Sequence, residues 1–243
     1  MASTKRSSSA VAEAVRVETE PRAESRWPAV GAILVALALY ALLPGSFPAW
    51  VRASVVVLSV GLLIPSLIAN PLQPQDQRKW SRPLAIGLTS LLAVANEADL
   101  VTLIVRLLQP AGKEDAPVLL VSAVQVWVVN IIVFALIIWQ LDRGGPVTSA
   151  QGERSRLPEA DFRFPQDEDY DTVPEVAAGS SRRSGWTANF IDYLYFSLSN
   201  AMAFSPPDAV PLTNRAKILT GIEALGAYVL LVLVIARTVS LLG

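Results

Sequence analysis

The chain has 243 residues, 52% hydrophobic and 17% charged, with a formal net charge of −1 and a mean hydropathy of +0.44. A near-neutral chain with no basic field sets nucleic acid aside as a partner. Cys and His are both absent, which removes disulfides, thiol and imidazole catalysis, and the usual zinc, haem and iron–sulfur ligands.

Carboxylates, Ser, Thr, Lys and Tyr form no catalytic constellation in the remaining sequence. The chain is therefore not read as an enzyme, and no catalytic, cofactor or metal site is expected. The composition points to an all-α polytopic transmembrane bundle whose first partner is the lipid bilayer.

Residues 1–27 are rich in Ser, Ala, Glu and Arg and read as a disordered cytoplasmic tail. The start is too long and too mixed in charge for a secretory signal, so the helix after it is expected to be retained. A hydrocarbon core of about 30 Å needs roughly 20 apolar residues per helix, and 28–141 reads as a four-helix transmembrane region. Its runs are 28–44, starting after Trp27; 50–70, with Arg52 placed to snorkel and Pro65 as a kink; 83–108; and 117–141, uncharged up to Asp142.

The 83–108 run carries Asn96, Glu97, Asp99 and Arg106. At about 100° per residue, Asn96, Asp99, Thr102 and Arg106 fall within a sector of about 120°, with Glu97 outside it. Polar groups at mid-depth are costly unless paired. The functional reading is an ion or proton site built from Asn96, Asp99 and Glu97, completed by Asn130, Gln125 or Glu223. The structural reading is interhelical hydrogen bonding that fixes packing.

Residues 142–186 are polar, contain DEDYD at 167–171 and show no sustained periodicity. They read as a surface loop or partly disordered linker. Lys and Arg number five in the tail, three in 71–82, six in 142–186, none in 45–49 and one in 109–116. That bias places the N-terminus and the long loop in the cytoplasm of a bacterial plasma membrane. The stretch 187–204 is short for a crossing, at roughly 27 Å of helix, and reads as a short span or a re-entrant half-helix. Asp192 suits a capping position near its start. The last run, 214–242, is apolar except for Arg215, Lys217, Glu223 and Arg237.

Residues 192–226, DYLYFSLSNAMAFSPPDAVPLTNRAKILTGIEALG, resemble the pore module of potassium channels without a gap. Asp192, Leu194, Tyr195, Phe196 and Ser197 match the pore helix. Asp208, Val210, Pro211 and Thr213, then Ile218, Leu219, Thr220, Glu223, Ala224 and Leu225, match the filter exit and inner helix. Where the family reads TTVGYG, this chain has Met202, Ala203, Phe204, Ser205, Pro206 and Pro207, followed by Asp208. Glycines permit the dihedrals that aim filter carbonyls at an ion, whereas proline fixes φ near −65° and lacks an amide hydrogen.

The resemblance thus implies a channel-like helical hairpin over 187–243 with a degenerate filter. Its implied role is ion or small-solute transport without standard potassium selectivity. It also implies a homo-oligomer, because one copy cannot close a fourfold pore. In the family the pore loop enters from outside, whereas the charge bias puts 142–186 inside after four spans. Two architectures therefore stand: six spans, or five plus a re-entrant half-helix. The alternative function is a non-transporting scaffold or regulatory protein that binds a partner through 142–186.

Overall fold

Apolar runs that leave water must satisfy their own backbone groups, and helices do so within the segment. A computed structural model describes residues 26–42, 47–69, 81–109, 116–151, 157–202 and 208–242. Six helices carry the fold: α1 (Trp27–Leu42), α2 (Ala49–Ala69), α3 (Ser81–Leu108), α4 (Ala116–Leu141), α5 (Phe190–Ala201) and α6 (Asn214–Leu242). Three stretches, Ala49–Ile68, Pro117–Gly144 and Asn214–Ser240, are long and apolar enough to cross a membrane by length and composition. α1 is apolar but shorter, and α3 carries the polar stripe.

Short connections make α1 to α4 run up and down. One end of the bundle gathers Arg26 and Ala29 of the α1 start, Leu63 and Leu67 near the end of α2, Arg82 and Ala85 of α3, and Trp139 of α4. The opposite end packs Tyr40, Leu103, Leu107, Leu119 and Leu230. α4 is the hub: 67% of its apolar window is buried, against 11% in α2 and 17% in α6. Its inner face, with Val133, Leu136 and Ile138, lies in the main core with Ile33, Leu88 and Phe190.

Immediately after α4 the chain reverses. Arg143 adopts φ 49°, and Gly144 and Gly145 adopt φ 79° and 92°. Glycine reaches that left-handed region without a Cβ penalty. The segment expected to be a surface loop or partly disordered linker instead folds back on the bundle from residue 157 onward. It contains the strand Phe162–Arg163, two 3-10 turns (Pro165–Asp167 and Asp169–Asp171) and two one-turn helices (Pro174–Ala177 and Ser181–Ser184).

The reason lies in its aromatic residues. Phe162 and Phe164 are buried, edge-to-face against Phe196 at 5.0 Å and Tyr193 at 5.3 Å. Burial of such rings stabilises a segment by a few kcal/mol, enough to order a stretch with no helical or strand period.

α5 is shorter than the 187–204 expected from hydropathy. Asn189 Oδ1 accepts the Ile191 amide at 2.9 Å, and Asp192 Oδ2 accepts the Asn189 amide at 2.8 Å. This reciprocal cap sets the helix start and gives Asp192 the role its position suggested. Twelve residues make about 18 Å of helix. The helix leaves Trp139, which its first residue Phe190 touches edge-to-face, and ends beside Ile131 and Ala227. Past residue 207 the chain is back where it began: Phe162 pairs with Pro211, and Arg163 with Val210, in an antiparallel two-residue ladder.

Candidate functional site

Two polar clusters and one deep polar junction lie around α4 and α5. The first cluster is on α3. Asn96 is buried and donates from Nδ2 to Asn130 Oδ1 at 2.8 Å. Asp99 is buried and within electrostatic reach of Arg52 and Arg106, and Tyr40 is near the same carboxylate. Glu97 is only partly buried. The stripe therefore divides: Asn96 meets Asn130 across α3 and α4, while Asp99 faces the arginines at the far end. Gln125 Oε1, a second of the three expected partners, is buried without a hydrogen bond among the described residues.

Glu223 belongs to a different neighbourhood. It is fully buried on α6, where Asn200 Nδ2 donates to its Oε2 at 2.8 Å and the Ser197 hydroxyl contacts its Oε1. Asn200 also donates to the Thr220 carbonyl at 3.0 Å, and Ser197 to the Ile131 carbonyl at 2.8 Å. Glu223, Ser197 and Asn200 thus join α4, α5 and α6 at one point. An amide has two hydrogens and serves both its acceptors, whereas a hydroxyl has one. If Ser197 gives its hydrogen to Ile131, the contact with Glu223 closes as a hydrogen bond only when the carboxyl supplies the proton. Among the described residues no ion pair involves Glu223, and an unpaired buried carboxylate is costly.

Sequence reading missed the second cluster, at the end of the bundle that holds the folded-back segment. Asp142 Oδ1 accepts the Asp161 amide at 2.7 Å, and its Oδ2 accepts the Tyr193 hydroxyl at 2.6 Å. Arg143 Nη2 donates to Asp167 Oδ2 at 2.6 Å. Arg215 grips Asp161 with Nε and Nη2 at 2.7 and 2.5 Å, and Thr213 Oγ1 donates to the same Oδ1. The Leu212 amide donates to the Asp161 carbonyl at 2.8 Å. These bonds tie the end of α4, the first turn of α5 and the start of α6 into one clasp. The only traces in sequence are DRGGP after an apolar helix and the alternation of Phe162 and Phe164.

Of the degenerate filter, Phe204, Ser205, Pro206 and Pro207 lie outside the described residues, and Asp208 is exposed beside the strand pair. Among the described residues no group of three His, Cys, Asp or Glu is placed to hold a metal. Comparison with protein-family models, with curated proteins and with solved structures returned no match.

Proposed function

We propose that this chain is a five-span membrane protein whose α5–α6 hairpin is a re-entrant, channel-type module. On this reading copies of the chain assemble around the hairpin to pass an ion or small solute without a glycine-based potassium filter. The observation that carries the reading is the pairing of Phe162–Arg163 with Val210–Pro211 on either side of α5. A segment that leaves and returns to the same end of the bundle has not crossed it. At about 18 Å, α5 also falls well short of the roughly 30 Å core. The ungapped match of Asp192–Ser197 and Asp208–Leu225 to a pore helix and inner helix supports the same assignment.

Assembly follows from the face that α5 leaves uncovered. Ile191, Tyr195, Leu198 and Met202 are exposed along one side of the helix. Irregular backbone at membrane depth is tolerated only against protein or water, so the hairpin needs cover that one copy does not supply. Orientation follows the charges: of the described Lys and Arg, only Arg52, Arg106 and Arg237 sit toward the end opposite the hairpin. The positive-inside rule then makes the hairpin end cytoplasmic, opposite to the side from which the potassium channels' pore loop enters.

Because the chain has no Cys, single substitutions Glu175→Cys, Asp208→Cys and Gln109→Cys at exposed positions report topology by impermeant thiol labelling. The expected result is that Glu175→Cys and Asp208→Cys label from one side, and Gln109→Cys from the other. Labelling of Asp208→Cys together with Gln109→Cys instead would mean that α5 spans, and the proposal would fail.

A further inference from the structure

We propose that the groove between α1, α2, α3 and α4, at the hairpin end of the bundle, is a binding site for one anionic phospholipid. The walls are apolar, formed by Ala29, Ile33, Leu63, Leu67, Leu88 and Leu136, with Ser66, Thr89 and Gln140 as sparse polar points. Arg26, just before α1, and Arg82, at the start of α3, line the same groove, so two cations stand where the apolar walls reach the interface. Ile64, Ile68 and Ile86, on the same helices, are exposed, and on the membrane-spanning reading they meet lipid, so an acyl chain enters from the side.

A second observation points to an amphiphile. Trp139 forms part of the wall and is 6% exposed, yet its indole N–H meets no acceptor among the described residues. A buried donor left unmet is costly, and a lipid ester carbonyl seated against this wall is an acceptor of the right kind. Apolar walls hold an acyl chain and the cations hold a phosphate. A free phosphate ion would use the cations alone. Basic pockets between helices on the cytoplasmic side commonly take anionic headgroups. The site is independent of the α5–α6 hairpin, although Trp139 also touches Phe190 at the start of α5.

The test uses the full chain in a mild detergent, with native mass spectrometry counting lipids retained from phosphatidylglycerol or phosphatidylcholine. One phosphatidylglycerol is expected to be retained about thirtyfold more tightly, which corresponds to two basic residues at about 1 kcal/mol each. The double variant Arg26→Gln/Arg82→Gln is expected to equalise the two lipids. Ser66→Trp, which fills the groove and retains both arginines, is expected to release both lipids while leaving helix content unchanged, and it stands as the test if the double variant does not fold. Arg182→Gln/Arg183→Gln, at the same end but outside the groove, should retain the preference. Equal retention by the wild-type chain would overturn the proposal, as would an unchanged preference in the groove double variant, loss of preference in the Arg182/Arg183 control, or displacement of the lipid by excess inorganic phosphate.

Discussion

At the scale of single residues, the clasp and the deep junction behave differently when trimmed. Asp161 is almost fully buried, whereas the Arg215 side chain is 57% exposed. Arg215→Ala leaves the buried carboxylate with the Thr213 hydroxyl as its one hydrogen-bond donor among the described residues, and should cost about 2–3 kcal/mol. Asp161→Ala returns an exposed guanidinium to water and should cost about 1 kcal/mol. Thermal unfolding of the two variants in detergent checks the order; an equal loss would mean that the pair acts as an ordinary surface bridge. For Glu223, Gln offers a donor and an acceptor where a neutral carboxyl has them and should unfold within about 1 kcal/mol of the wild-type chain. Glu223→Leu strips partners from Ser197 and Asn200 and should cost about 2 kcal/mol. A Gln variant as unstable as the Leu variant would show that the carboxylate, not the acid, holds the junction.

Helices meet where side chains allow it, and α6 packs against α3 at Gly226. A Cβ there would sit 3.1 Å from Leu100 Cδ2, so Gly226→Leu should force the helices apart and cost about 1–3 kcal/mol. Leu100→Ala in the same chain should recover part of that loss, a coupling that a double-mutant cycle of unfolding free energies would read. Much at this scale was legible in the sequence: the all-α class, the long apolar helices, and the Asp192 position at a helix start follow from run length and charge placement. The clasp was not legible, because Asp142 and Asp161 are 19 residues apart, and Asp161 and Arg215 are 54 apart. No local period links residues so distant. The polar stripe was legible as a stripe, but which partner each residue takes depends on helix rotation, and Glu223 turned to Ser197 and Asn200 rather than to Asn96.

For the whole molecule, Tyr193 and Tyr195 separate folding from assembly. Tyr193 is buried, donates to Asp142 and packs on Phe164; Tyr193→Phe should lower stability by about 1–2 kcal/mol through the clasp within one copy. Tyr195, two residues on, lies on the exposed face of α5 with Ile191, Leu198 and Met202. Truncating it removes little that one copy packs. Tyr195→Ala should therefore leave monomer unfolding nearly unchanged while reducing the oligomer fraction of the protein in nanodiscs, measured by mass photometry. On the proposed pore reading, ion flux into proteoliposomes should fall with that fraction, because a hairpin without neighbours encloses no path. A wild-type chain that remains monomeric in nanodiscs would remove the pore and leave α5 as a re-entrant packing element, with the clasp intact and no conduction to lose.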